Sequence, residues 1–264
     1  MPVYHTPAGP VEMLEWGDGP TLVLLLHASA AGPGSLSGLA RALAEPDRRI
    51  VAPALHGYGA TDVTADGDRL DAHVAVVRAC LDRFAASRRV VIGHSMGGMV
   101  ALLAESAVDA MVLYEPITLA CLDPDDPEDA AARAWDREIV AALTQAVADG
   151  DAEPGIARFV AAWNEMSWPA LPDSVRARLL AAAPGLAAEI RAGADRALRL
   201  DRIAAPVTVL QGAMSPAITH RMTARLAAAL PRATRTVLEG CGHMGPVQRA
   251  DAIAAVIRQR GVLA

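Results

Sequence analysis

The sequence predicts an α/β fold in which a mostly parallel central sheet is covered by helices on both faces. Three observations carry that reading. Short continuous apolar runs such as Leu22 to Leu26 and Val90-Val91-Ile92 suit strands buried on both faces. Helix-like stretches alternate with these runs along the chain, the order expected of a layered α/β domain. A hydrophobic fraction of 53% over 264 residues supplies a sizeable core for one domain, or for a domain with a lid.

Taken in order, strands are expected at about 11–16, 21–27, 49–55, 89–94, 109–115, 206–212 and 233–239, and helices at about 35–45, 69–86, 95–106, 216–230 and 247–260. Gly17-Asp18-Gly19-Pro20 reads as a turn joining the first two strands into an antiparallel hairpin. Roughly 90 residues separate Glu115 from Pro206, far more than a strand-to-strand crossover requires, so this segment is an insertion. Its polar opening, Asp123-Pro124-Asp125-Asp126-Pro127-Glu128-Asp129, is a helix start. Helix-like stretches follow at about Ala130–Ala148, Gly155–Glu165 and Ser174–Ala192. The chain therefore divides into a core of 1–116 and 204–264 and a helical insertion of 117–203.

Composition narrows the partners. A formal net charge of −6 without a basic cluster argues against nucleic acid or an anionic membrane as the main partner. The longest apolar runs are strand-length and are broken by Gly, His and Arg, so no membrane span is expected. The segment Met1-Pro2-Val3-Tyr4-His5-Thr6-Pro7 lacks the basic and apolar regions of a secretory signal, which makes a cytoplasmic location the expectation. Cys80, Cys121 and Cys241 are odd in number and widely spaced, fitting reduced thiols. No cofactor is implied and no metal site: the histidines lack ligand spacing and the cysteines form no C-x-x-C pair. The expected partner is a small molecule, with the chain a monomer or homodimer.

One motif carries chemistry. Ser95 lies in Gly93-His94-Ser95-Met96-Gly97, directly after Val90-Val91-Ile92 and directly before the helix-like Met99-Val100-Ala101-Leu102-Leu103-Ala104. A bare five-residue match is weak, but strand, sharp turn and helix are the context a G-x-S-x-G nucleophile elbow requires. Flanking glycines let neighbouring elements approach, and the helix start aims unpaired N–H groups at an oxyanion. Three further segments keep the same order. Leu22 to Leu26 runs into His27-Ala28-Ser29-Ala30 and the loop Ala31-Gly32-Pro33-Gly34-Ser35. Ile50-Val51-Ala52-Pro53-Ala54-Leu55-His56-Gly57-Tyr58-Gly59 follows, and Thr236-Val237-Leu238-Glu239-Gly240-Cys241-Gly242-His243 stands near the C-terminus. Together they resemble the α/β-hydrolase superfamily of serine type, departing from it with Ala28 where Gly is usual and Ala54 where Asp is frequent.

The resemblance implies roles for particular residues. Ser95 would be the nucleophile and His243 the base that takes its proton and returns it to the leaving group. The family's common acid follows strand seven, but no Asp or Glu occurs between Ile203 and Glu239. Glu115, ending strand six, is the expected acid, as in some family members; Glu239 is its rival, and a Ser–His dyad is the third option. Backbone N–H groups of Met96 and Ser29 would form the oxyanion hole. Met99, Met244, Trp163 and Trp168, with Met96 and Met166, are candidate pocket residues, although Met and Trp at helical spacing more often belong to a core. The insertion after strand six would be a helical lid. The expected activity is hydrolysis of a small, largely apolar ester, thioester or lactone through an acyl-serine. The alternatives are an acyltransferase, cyclase or lyase on the same fold and a non-catalytic small-molecule receptor. An epoxide hydrolase or haloalkane dehalogenase is disfavoured because those relatives carry Asp where Ser95 stands.

Overall fold

A computed structural model describes residues 1–164, 166–194 and 196–264 of the chain. Its strands are β1 (Val3–Thr6), β2 (Gly9–Trp16), β3 (Thr21–Leu26), β4 (Arg48–Pro53), β5 (Arg88–His94), β6 (Ala110–Tyr114), β7 (Val207–Gly212) and β8 (Ala233–Leu238). Its helices are α1 (Ser37–Leu43), α2 (Arg69–Arg83), α3 (Met96–Leu103), α4 (Pro127–Ala148), α5 (Glu153–Trp163), α6 (Asp173–Ala194), α7 (Ala217–Ala229), α8 (Gly245–Gln248) and α9 (Ala250–Gln259). The strands form one eight-stranded sheet in the order β1-β2-β4-β3-β5-β6-β7-β8. From β4 to β8 every neighbouring pair is parallel, whereas β1 and β2 run antiparallel to their neighbours.

Strand pleating divides the core in two. Leu22, Leu24 and Leu26 of β3 face the side packed by Leu70, Val74 and Val77 of α2 and by α3, while Val23 and Leu25 face Leu39 and Leu43 of α1 and Ile253 and Ile257 of α9. All six residues of β3 are buried, which explains why its sequence is a continuous apolar run. The expected hairpin at residues 17–20 is corrected by the pairing. β2 pairs antiparallel with β4, and β4 separates it from β3. The turn is an arch over the start of β4, with Gly19 N–H donating to Arg48 C=O at 3.3 Å and Thr21 N–H to Asp47 C=O at 3.0 Å. The short edge strand β1 is absent from the sequence expectation, because four residues with alternating exposure carry little apolar signal.

Between β6 and β7 lie α4, α5 and α6, close to the expected positions; Glu165, expected to end the middle stretch, lies outside the described residues. They share a small core of Leu143, Ile156, Val160, Leu179, Ala183 and Leu186. Asp126 caps α4 by accepting from the Glu128 and Asp129 N–H groups, and Pro127 occupies the first helical position, where its missing N–H costs nothing. The same helix start is tied to α7: Arg225 bonds Asp126 at 2.8 Å and Asp129 at 2.7 Å, and Arg221 bonds Asp126 at 2.7 Å. Among the described residues no helix is long and apolar enough to cross a membrane.

Candidate active site

The turn between β5 and α3 holds Ser95 at φ 54°, ψ −118°, a backbone conformation that costs of order 1–3 kcal/mol for a residue with a side chain. Its surroundings fix that conformation. Ser95 N–H donates to Tyr114 C=O at 3.0 Å, and Ser95 C=O accepts from the N–H groups of Gly98, Met99 and Ile117 at 3.0, 3.2 and 3.3 Å. The flanking glycines are needed for close approach: a Cβ on Gly93 would lie 2.6 Å from Gly98 Cα, and one on Gly97 2.4 Å from Leu26 O. Met96 is the first residue of α3, so its N–H has no partner within the helix.

Parallel register brings the other two residues to the same edge of the sheet, since His94 pairs with Tyr114 and Tyr114 with Leu210. Glu115 follows directly at φ 44°, which turns its side chain across the end of β7. Its Oε1 accepts the Gly212 N–H at 2.7 Å and its Oε2 lies 2.7 Å from His243 Nδ1. His243 Nε2 lies 3.1 Å from Ser95 Oγ. The imidazole is aimed by its own loop, because His94 Nε2 donates to His243 C=O at 2.8 Å and the Tyr114 hydroxyl to Gly242 C=O at 2.6 Å. Glu115 is fully buried and His243 nearly so. Glu239 is exposed and has no hydrogen bond with His243.

Ser95 and His243 open onto a cavity of about 210 Å³ between the sheet edge and the inserted helices. Ser29, Met96, Trp163 and Met244 line it, and Ile139 and Val160 add apolar wall. The Trp163 ring lies 4.9 Å from the His243 ring and stacks edge-on with Trp135. Three other candidate pocket residues lie elsewhere. Met99 is buried in the core beneath α3, on the part of the helix from Met96 to Leu102 that is buried throughout. Trp168 packs within the core of the inserted helices, where its Nε1–H donates to Glu153 at 2.8 Å. Met166 is exposed.

A second polar cluster, which the sequence reading missed, lies on the far side of Ser29. Fully buried Glu189 of α6 accepts from the Ser29 hydroxyl and from the Tyr58 hydroxyl at 3.1 Å, and pairs with His73 Nε2 at 3.0 Å and Arg69 Nε at 3.7 Å. Burial opposes ionisation of Glu189, but His73, Ser29 and Arg69 together outweigh it and hold its pKa below the ordinary 4.5. His27 stands behind this cluster, its ring edge-on to Tyr58 at 4.6 Å, its Nδ1–H donating to Ala28 C=O at 2.8 Å and its Nε2 accepting the Leu55 N–H at 3.1 Å. Burial pushes its pKa down to about 4, against the opposing effects of the Ala28 carbonyl and Glu189. Burial, with His243 nearby, pushes His94 down as well.

A family model described as the alpha/beta hydrolase fold matches residues 21–250. The chain belongs to the α/β-hydrolase family. It is 29% identical over 254 residues to Lipase LipV of Mycobacterium tuberculosis, covering 92% of this chain and 94% of that one. Among solved structures, the esterase EaEST from Exiguobacterium antarcticum superposes with a TM-score of 0.75 at 15% identity, covering 98% of both chains. A bromoperoxidase from Bacillus anthracis gives 0.74 at 15% identity, covering 98% of this chain and 99% of that one. At such identities these two likenesses speak to the fold.

Proposed function

We propose that the protein is a serine hydrolase that cleaves a small, largely apolar ester, thioester or lactone through an acyl-serine intermediate. The observation that carries this reading is the unbroken hydrogen-bonded line from Glu115 through His243 to Ser95 Oγ, ending at the wall of an apolar cavity. Ser95 Oγ attacks the acyl carbon while His243 Nε2 takes its proton, and the bond to Glu115 stabilises the imidazolium and fixes its tautomer. The N–H groups of Met96 and Ser29 bind the oxyanion. His243 then protonates the leaving oxygen or sulfur. A water, deprotonated by the same nitrogen, releases the acid and frees Ser95. A cavity of about 210 Å³ suits a short acyl chain.

The helices between β6 and β7 act in this reading as a lid on a core of 1–116 and 204–264. Their side chains Ile139, Val160 and Trp163 complete the cavity over Ser95. The relative named a lipase supports a carboxylic ester substrate.

The test is covalent. A fluorophosphonate is expected to label the wild type at Ser95 and to spare Ser95→Ala, which also loses turnover of short-chain p-nitrophenyl esters. Active protein that is labelled elsewhere, or not labelled, overturns the reading.

A further inference from the structure

The cavity wall at Ser29 is not self-supporting. Ala30, the next residue, has φ 61°, a left-handed conformation that an alanine holds only when its surroundings impose it. What imposes it comes from far along the chain. The Ser29 hydroxyl donates to Glu189, and the Ala30 N–H donates to the Tyr58 hydroxyl at 2.8 Å, which itself donates to Glu189 at 3.1 Å. One buried carboxylate of α6 thus grips two successive residues of the loop, one directly and one through a phenol. One turn further on the same face of α6, Gly193 packs against Met96, where an added Cβ would lie 3.2 Å from its Cε. A single helix of the inserted segment therefore braces both residues whose N–H groups are assigned to the oxyanion.

We infer that Glu189 is a positioning residue for the oxyanion hole, so that docking of α6 and assembly of the hole are one event. The inference rests on the acyl-serine reading above. His73 and Arg69 keep the carboxylate charged in its buried site, and the charge makes its hold on the Ser29 and Tyr58 hydroxyls strong. With the lid helix away, the Ser29 N–H loses its orientation, and the hole has one fixed donor instead of two. The consequence is specific to the transition state. The planar ground state needs no oxyanion donor, whereas the tetrahedral intermediate does.

The experiment uses the full chain with Ser29→Ala, Glu189→Ala and Glu189→Gln. Ser29→Ala leaves the backbone N–H, the Glu189–His73 pair and the Tyr58 link to Ala30 in place and removes only the direct tether. Active sites are titrated with fluorophosphonate, and kcat and KM are measured on a short p-nitrophenyl ester. Affinity is measured for a trifluoromethyl ketone of the same acyl shape, which adds Ser95 Oγ to give a tetrahedral oxyanion. Ground-state binding is measured with the intact ester in a Ser95→Ala background.

Loss of one oxyanion donor in subtilisin costs about 10²–10³ in kcat, so a loosened donor is expected to cost about 10-fold in Ser29→Ala and up to about 100-fold in Glu189→Ala. KM and ester binding should stay within about twofold, and ketone affinity should fall in step with kcat/KM. Glu189→Gln, which restores an acceptor for Ser29, should recover part of kcat. If kcat per titrated site and ketone affinity stay within twofold of wild type in Ser29→Ala, the inference is overturned, whether or not Glu189→Ala folds. Equal losses in ketone and ester binding overturn it too, because they mark a general disruption of the pocket. Failure of the acyl-serine reading looks different: the wild type would form no ketone adduct, or Ser95→Ala would retain turnover.

Discussion

Two buried clusters in this molecule are built from the same residue types but are wired differently. In the first, Glu115 bonds His243 Nδ1 and the opposite ring nitrogen reaches Ser95 Oγ, so carboxylate, imidazole and hydroxyl lie in series. In the second, Glu189 is the hub: Ser29, Tyr58 and His73 all bond the carboxylate, and His73 Nδ1 has no hydrogen-bond partner among the described residues. A series arrangement can pass a proton from one end and stabilise the charge at the other. A hub can only hold. The difference lies in which atom each hydroxyl meets, and it separates the proposed site of chemistry from a clamp even though both contain a glutamate, a histidine and a serine.

The sharpest way to break the comparison is to change each glutamate–histidine pair in turn. Glu115→Gln should keep the fold and lower kcat by roughly 10⁴-fold, the loss that the corresponding Asp-to-Asn change causes in the Ser-His-Asp proteases, because an amide neither stabilises imidazolium nor enforces the tautomer. Glu239→Gln should leave kcat within about twofold, since its side chain is exposed. Steady-state kinetics on protein with a native unfolding profile decides. Near-wild-type rates in Glu115→Gln, with Glu239→Gln at the level of Ser95→Ala, would move the acid into the histidine loop.

His73→Ala should give the opposite signature. Removing a hydrogen-bond partner from a buried carboxylate leaves it less well satisfied, at a cost of about 1–3 kcal/mol. The expected result is a large fall in the urea midpoint with an unchanged slope. A midpoint like that of wild type would mean that Arg69, Ser29 and Tyr58 suffice to hold Glu189, and the hub would be redundant.

The two clusters also differ in how much of them can be read from sequence. Ser95 is legible because everything that fixes it is local: the strand, the two glycines and the helix lie within a few residues. Glu115 and His243 are legible because parallel strands end at one edge, so residues at strand ends far apart in the chain meet there. Glu189 bonds Ser29 and His73, 160 and 116 residues away in sequence. No local pattern encodes that meeting. A signal exists all the same, since Glu189 shares a helical face with Leu186, Ile190 and Gly193, and His73 one with Leu70 and Val77. An ionisable residue within an apolar stripe must find a partner when buried. Met99 and the residue 17–20 turn were misread for a related reason. Closeness in sequence to Ser95 does not put a helical side chain in the cavity, and consecutive strands need not be neighbours when a third fits between them.

Acid should destabilise the region around the clamp, and the sign follows from His27. Its folded pKa, about 4, lies below the 6.5 of the free side chain, so between those values the unfolded chain binds a proton that the folded protein refuses. The contribution is full above pH 6.5 and is lost as the pH falls to about 4, amounting to about 3 kcal/mol at 1.36 kcal/mol per unit. His94, behind His243, is depressed in the same direction and steepens the loss. Glu189 adds its own share only lower down: its pKa is held below 4.5, so its contribution is complete above that value and disappears as the pH drops through the depressed one. The charges around His27 act in both directions, Glu189 favouring its protonation and His73 opposing it, and burial outweighs them. Tyr58, held well above 10, is neutral in this range. Urea unfolding measured from pH 7 to 4 should therefore give a stability that falls with decreasing pH, and His27→Gln should lose part of the slope, whatever its stability at pH 7. A slope identical in wild type and His27→Gln would mean that His27 takes up its proton in the folded state.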